Sequence, residues 1–414
     1  MHGYQEFANV SDPVLRGIRV VEAATMIMAP SASVVLADFG ADVIKLESPG
    51  MGDPNRYLHL IPGMPKTDYD FAFQQDNRNK KFLALDVKND EGRAIFYKLI
   101  ETADVFITNH RLQALEKLKM TWDDLHAVNP KLIYAHGTGY GETGAEKNDA
   151  GYDRVAYWSR SGFEMSVFPI DGWLYQIPPG TGDHPTGMSL VAGIMMGLYG
   201  RDRTGKGCKV SSSLLANGAW SNSDTIQAKL VGAEFPEKRP RHNAYNFGNQ
   251  YYRTSDERVF KITMVNAEKV WQGMCRAIGR SELIQDPRYK EYNERLTRVP
   301  ELIQLFDEAF SANTMDYWIE ALSANDVPHS MLSEYEDVIH DKQMHETGVF
   351  IDVDHPKFGT AKTVNTPFEL SGQTKVPAKC AAPLGADTES ILKEMGMTQE
   401  AIDALAASGV VQKS

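Results

Sequence analysis

The run Pro178-Pro179-Gly180-Thr181-Gly182-Asp183-His184-Pro185-Thr186-Gly187 leads directly into the apolar stretch Met188 to Tyr199. Prolines and glycines at this density fix a turn, and the turn delivers an acidic side chain to the start of a helix. Two readings of Asp183 are open. As an N-cap it satisfies free backbone N–H groups, a common role for Asp. As a nucleophile it sits on a rigid turn: an Asp titrates near ~3.9, so it is ionised at neutral pH but weakly reactive, and covalent chemistry depends on positioning and desolvation. The roles are compatible, because helix-end amides hold a carboxylate ionised.

A second segment, Gly137-Thr138-Gly139-Tyr140-Gly141-Glu142-Thr143-Gly144, follows a predicted strand. It either brings backbone amides up to a ligand or forms a plain flexible turn. It is not the GxGxxG fingerprint, since no helix pattern opens at its third glycine. Asn77-Arg78-Asn79-Lys80-Lys81 is a basic run in an acidic protein, and Arg111, Lys117, Arg201, Arg203 and Lys206 scatter further positive charge. Such a run is either a solvated face or a phosphate-binding patch. His110, His136 and His184 lack metal-ligand spacing, and there is no GxSxG elbow or P-loop.

The elements that must position these residues alternate in type. Ile18 to Glu22 reads as a β-branched strand, followed by a helix with Pro30 at a favoured first position, running through Val34, Val35 and Leu36 and stopping at Gly40. Asp42 to Glu47 reads as strand, Leu83 to Asp86 as strand, and Glu91 to Thr102 as a helix with Ile95, Phe96, Leu99 and Ile100 on one face. Asp104 to Thr108, a helix around Ala114 to Leu118, and the strand Lys131 to Ala135 continue the series. Strands and helices in alternation imply a parallel sheet covered on both faces, with ligands beyond the carboxyl ends of its strands. Val210 to Leu215 reads as the last strand of this half.

After it the chain turns polar through Lys229 to Gln250, with a hairpin turn at Arg253 to Glu257, which places a boundary near 225. Residues 267 to 325 read as helices. The chain is strand-like again at Val349 to Val353 and closes in a helix from Asp387 to Gly396, returning to the large domain. The expected domains are 1–225, 226–335 and 336–414, the first and last forming one α/β body.

At 414 residues the chain exceeds any single small module, and 42% apolar with 24% charged residues is globular composition. The net charge of -12 argues against nucleic acid as a partner but not against a small anion held by a local basic patch. Cys208, Cys275 and Cys380 fit neither a disulfide frame nor a zinc site, so a reducing compartment is expected. Met1 to Glu6 shows no basic-then-apolar leader, and Met188 to Tyr199 is too short to span a bilayer. These features together read as a soluble, cytoplasmic protein without a membrane partner.

Taken in order along the chain, several stretches resemble the family III CoA-transferases, the carnitine/bile-acid CoA-transferase family. They are Leu15 to Glu22, Leu36-Ala37-Asp38-Phe39-Gly40-Ala41-Asp42-Val43-Ile44-Lys45-Leu46-Glu47, Asn79-Lys80-Lys81 with Leu85-Asp86, Thr138-Gly139-Tyr140-Gly141, Gly182-Asp183, Thr204-Gly205-Lys206-Gly207 and Ala382-Pro383-Leu384-Gly385. The resemblance spans residues 15 to 411. It implies a Rossmann-like α/β large domain formed by both chain ends, a smaller central domain, and two ring-like subunits interlocked as a homodimer.

By the same matching the nucleophile falls on Asp183. CoA is expected to contact Ile27, Met28, Leu85, Asp86, Lys88, Asn109, His110, Arg111, Lys117, Thr138, Gly139, Tyr140 and Gly141. The implied chemistry exchanges CoA between an acyl thioester and a small carboxylic acid through aspartyl-acyl anhydride and aspartyl-CoA intermediates, with no cofactor beyond the CoA substrate.

Departures from the relatives narrow this picture. The α-methylacyl-CoA racemases pair a His with an Asp, and their His position, within Ala150-Gly151-Tyr152-Asp153, is Tyr152 here. Formyl-CoA:oxalate transferases carry a run of glycines where Asn243 to Gln250 has only Gly248. The stretches around Asn109, Tyr140 and Asp183 look closest to transferases acting on phenyllactate, cinnamate or 2-hydroxyisocaproate, which points to an aromatic or branched acid. A racemase-like enzyme, or a CoA-binding subunit without chemistry of its own, are the alternatives.

Overall fold

The computed structural model describes residues 12–168, 172 and 177–414. Met1 to Glu6, expected to carry no leader, lie outside the described residues. Two compact units are present: the larger takes the segments ending at Phe168 and Ala233 together with Glu346–Ser414, and the smaller takes Glu234–His345. A boundary at 225 would cut the helix Ser223–Leu230, which belongs to the larger unit, and one at 335 would fall at the start of the helix Tyr335–His340. The polar stretch Lys229 to Gln250, which set the first expected boundary, begins only at the end of the first of these helices.

Six strands form the core of the larger unit: β1 (Arg19–Ala23), β2 (Asp42–Glu47), β3 (Lys81–Leu85), β4 (Val105–Thr108), β5 (Ile133–Thr138) and β6 (Cys208–Ser213). They pair in parallel in the order β3-β2-β1-β4-β5-β6. Strands β1 to β5 are buried almost throughout, as helices on both faces require, whereas β6 alternates along its length as an edge does. Val411–Gln412 adds an antiparallel strand outside β3, so the sheet is mixed; a pair of residues has no periodicity from which to read it. The order reverses direction between β1 and β4. In doubly wound sheets that reversal opens the ligand crevice.

The helices of this unit include α1 (Met28–Asp38), α2 (Phe71–Asn77), α3 (Asp90–Glu101), α4 (Leu112–Leu118), α5 (Trp122–Val128), α6 (Phe163–Ser166), α7 (Asp183–Thr204) and α8 (Leu214–Ser221). Pro30 is the third residue of α1, not its first, and still needs no intrahelical partner there. In α3, Asn89 caps the start and the expected face of Ile95, Phe96, Leu99 and Ile100 is buried. The sixth strand stops at Ser213 because that hydroxyl accepts the Ala216 N–H and opens α8.

One face of the sheet is covered by α1 and α7, the other by α3, α5 and the C-terminal helices Thr388–Glu394 and Gln399–Ala407. Every residue of α1 is buried. Its contact with α7 is close at Gly187, where an added Cβ would lie 2.1 Å from Ser31 Oγ and 2.7 Å from the Met28 carbonyl oxygen. Gly187→Ala is therefore expected to destabilise by about 1–3 kcal/mol, lowering the thermal midpoint. An unchanged melt would mean that α1 and α7 separate without cost.

The smaller unit joins the hairpin Tyr251–Arg253/Val259–Ile262 to the strand His329–Met331. Its helices Ala267–Ala277, Val299–Phe310 and Met315–Ala324 close over an aromatic core that includes Tyr252, Trp271, Phe306 and Phe310. The turn expected at Arg253 to Glu257 connects the hairpin.

Candidate active site

Beyond the carboxyl ends of β1, β4 and β5 lies a cavity of about 440 Å³. Its wall is made of Thr25–Met28 after β1, Asn109–Arg111 after β4, Gly137–Gly139 at the end of β5, and Asp183 at the start of α7. Of the residues matched to CoA contacts, Ile27, Met28, Asn109, His110, Arg111, Thr138 and Gly139 line this cavity with Asp183. Leu85, Asp86, Lys88, Lys117, Tyr140 and Gly141 do not.

Sheet position accounts for part of that division. Leu85 ends β3 and Asp86 to Lys88 follow it, and β2 separates that strand from the switch point. Leu85 is a core residue, and the Asp86 carboxylate accepts the Lys88 N–H at 3.0 Å. Lys117 is exposed on α4, Tyr140 packs against the core, and the Gly141 N–H donates to Thr138 Oγ1 at 2.9 Å. Lys147, Asp149 and Gly151 join the wall, as does Tyr152. Nothing in the spacing singles out the first two. Gly151 is there because the backbones touch: a Cβ on Gly139 would lie 2.5 Å from Gly151 Cα.

The turn after β1 is held by bonds that reach across the crevice. The Asn109 side chain donates to the Thr25 carbonyl at 2.7 Å and accepts the Thr25 N–H at 3.0 Å, tying the end of β4 to that of β1. Met26 adopts a φ of 66°, a conformation that residues with a side chain rarely take. Its N–H donates to Asp53 Oδ1 at 3.0 Å, and its carbonyl accepts from Asn55 Nδ2 at 3.1 Å.

Asp53 is anchored in turn by a buried charge cluster. Lys45 Nζ lies 2.8 Å from Asp53 Oδ2 and 2.6 Å from Glu22 Oε1, and Lys80 Nζ donates to Glu22 Oε2 at 2.7 Å. Burial alone would raise the Glu22 carboxyl, but Lys45 and Lys80 outweigh it and hold it at about 2. For Lys80 burial wins, and its ammonium is lowered to about 8. Arg78 meanwhile forks onto Asp38 at 3.0 and 2.6 Å. The basic run Asn77 to Lys81 is thus neither a solvated face nor a phosphate patch, because Arg78 and Lys80 lie in the core against carboxylates from α1 and β1, with Asn77 buried beside Lys80.

Asp183 is the first residue of α7 rather than its cap; Gly182 takes that place, with no side-chain bond. The Gly182 N–H is instead held by Asp153 Oδ1 at 3.0 Å, leaving the Asp183 carboxyl on the cavity wall. The expectation that helix-end amides keep Asp183 ionised is overturned: burial raises it to about 7, with Asp153 and Asp76 adding to the rise and His184 opposing it. Asp153 opens a π-helical turn, Asp153–Ser159, and is itself raised by burial; its Oδ2 is buried without a hydrogen-bond partner. A carboxyl group on a cavity wall, lifted to about 7, is poised for chemistry near neutral pH.

The sequence marks Asp153 only as part of Gly151-Tyr152-Asp153 and gives no sign of Asp76, which reaches the site from α2. What the arrangement offers is a desolvated carboxylate that faces a ligand-sized space ringed by backbone groups and by Arg111 and Lys147.

A family model described as CoA-transferase family III matches residues 15–388. The chain is 32% identical to the (R)-2-hydroxy-4-methylpentanoate CoA-transferase of Clostridioides difficile, over 96% of this chain and 100% of that protein. It is 31% identical to the cinnamoyl-CoA:phenyllactate CoA-transferase of Clostridium sporogenes, over 94% and 95%. Among solved structures, a CAIB/BAIF family protein from Brucella suis superposes with a TM-score of 0.81 at 27% identity, over 93% of this chain and 100% of that one. Among the described residues no helix is long and apolar enough to cross a membrane.

Proposed function

The chain belongs to CoA-transferase family III, and from that membership we propose that it transfers CoA to an aromatic or branched 2-hydroxy acid through covalent intermediates on Asp183. The observation that carries this reading is the place of Asp183 on the wall of the switch-point cavity, shared with Asn109–Arg111 and Thr138–Gly139.

Each step exchanges one anion for another. An Asp183 oxygen attacks the thioester carbonyl, forming a C–O bond and expelling CoA thiolate. The thiolate attacks the aspartyl carbonyl of the anhydride, so that the C–S bond forms as the first acid leaves as carboxylate. An incoming carboxylate expels the thiolate again, and the thiolate then opens the new anhydride at the acyl carbon, releasing Asp183. No proton is gained or lost, so no general acid is needed. Backbone N–H groups on the wall would meet the developing oxyanions, and Arg111 and Lys147 would face the negative charge of CoA.

The nucleophile must begin ionised. Because Asp183 titrates at about 7, thioester attack is expected to rise roughly tenfold per pH unit below that value and to level off above it. Rapid-mixing release of CoA thiol between pH 5 and 8 would test this; a rate flat across the range contradicts it. Substituting Arg111 and Lys147 together by Ala is expected to weaken CoA binding at least ~10-fold without moving the melting point, since both are exposed. Isothermal titration with CoA measures the first quantity.

The acceptor reading is supported by the similarity to the two clostridial enzymes. Incubation with a short acyl-CoA and a pooled set of acids, read as new thioesters by mass, should favour phenyllactate or 2-hydroxyisocaproate; preference for oxalate or a dicarboxylate would overturn it. The working unit is read as an interlocked homodimer, which the exposed Met196 and Tyr199 on α7 and Trp220 on α8 favour as surfaces for a second copy.

A further inference from the structure

His184 follows the nucleophile, and its ring is caught between two acceptors. Its Nδ1 lies 2.8 Å from the Gly180 carbonyl oxygen and its Nε2 lies 3.0 Å from Asp76 Oδ1. A neutral imidazole has one N–H and can serve one of these; the imidazolium has two and serves both. Asp76 is almost wholly buried, at 1% exposure, in the last turn of α2, a separate element brought to the start of α7. The charged groups about the ring are Asp76 from α2, Asp183 beside it on α7, and Asp153 from the π-helical turn, with Lys80 near Asp76.

We propose that Asp76 and His184 form a positioning pair for the nucleophile: Asp76 fixes the imidazolium in place, and the imidazolium offsets the carboxylate charge crowded around Asp183. The proposal rests on the reading of Asp183 as nucleophile. Burial works against a charged His184, yet the hydrogen bond and charge of Asp76 prevail and raise it to about 9. Of the charged groups acting on Asp183, His184 is the one that favours its ionised form. The ring remains 46% exposed, so solvent screens its field and the expected effect on Asp183 is about one pH unit rather than several.

The sign follows from these couplings. Thiol release in the natural protein rises through pH 7 and stays level above it, because Asp183 is already ionised when His184 loses its proton near 9. In His184→Gln the acid limb moves up by about one unit, a loss of about tenfold at pH 6 that shrinks towards pH 8.5. His184→Lys keeps the positive charge within reach of Asp76 and should restore the acid limb. A merely structural role would lower all rates equally at every pH.

A second measurement does not depend on activity. In the full-length, ligand-free protein with labelled histidine, the His184 resonance is expected to titrate near 9, and well below that in Asp76→Asn. Titration near or below 6.5 in the natural protein, or no change on removing Asp76, overturns the pair. No thiol release at any pH while His184 still titrates near 9 would instead overturn the reading of Asp183 on which the proposal depends.

Discussion

Asp183→Asn is expected to lower CoA transfer by about 10,000-fold while making the protein more stable, two effects of one carboxylate. The amide keeps the shape and cannot form the anhydride, so turnover is lost at chemistry, and CoA binding is retained because the cavity wall is otherwise intact. Stability moves the other way. In the folded protein Asp183 titrates at about 7, above its ordinary 3.8, so the folded state binds its proton more tightly than the unfolded chain does. Stability therefore falls as pH rises from about 4 to 7, and the cost is fully present above 7. Asparagine carries no such cost. Thermal melts of the two proteins should coincide below pH 4 and separate by about 2 kcal/mol at pH 8, the variant melting higher. Equal or lower stability of the variant at pH 8 would show that the carboxylate is paired and unstrained, which does not suit a nucleophile kept for attack.

The largest loss of stability is expected from Glu22→Gln. Glu22 takes Lys45 on one oxygen and Lys80 on the other, all with side chains shut off from solvent. Gln keeps the shape but leaves two buried ammonium groups short of a negative charge, and breaking a buried pair from one side costs about 3–5 kcal/mol. Lys45 also anchors Asp53, which holds the strained Met26 turn, so the cavity wall should loosen and the affinity for CoA fall with the melting point. The pH dependence is specific: Glu22 titrates at about 2 when folded against an ordinary 4.5, so its contribution is present above 4.5 and lost as pH falls through 2. Urea unfolding at pH 7 measures the loss, and a change under ~1 kcal/mol would mean that the cluster is solvated and carries little.

These charges also mark where sequence reading ends. Lys45 sits in Asp42–Glu47, a segment read correctly as strand, yet nothing local says that its ammonium is buried. Asn77 to Lys81 looks basic and solvated because its partners are remote: Lys80 meets Glu22 across 58 residues and Arg78 meets Asp38 across 40. Periodicity reports which face of an element is apolar, and is silent on ion pairs closed by the tertiary fold. The location of the site was more legible than its members. Residues after β1, β4 and β5 converge because a parallel sheet with a reversal in strand order gathers those ends, a rule that needs only the strand sequence to be right. Leu85 to Lys88 also lie at the end of a strand, but strand order, which no local pattern states, sets them away from the cavity. Asp183 was visible from its turn; its raised titration was not, since it arises from burial in the folded protein, with Asp153 and Asp76 on two other elements adding to it.

The central claim is that Asp183 becomes covalently modified during transfer. Mixing the full-length protein at pH 8 with an acyl-CoA, quenching with hydroxylamine and sequencing the peptide that contains Asp183 by mass spectrometry puts it to the most direct test. A hydroxamate at Asp183, dependent on acyl-CoA and absent in Asp183→Asn, is the expected result. Active protein that carries no modification at Asp183, or carries it on another carboxylate, would contradict the account.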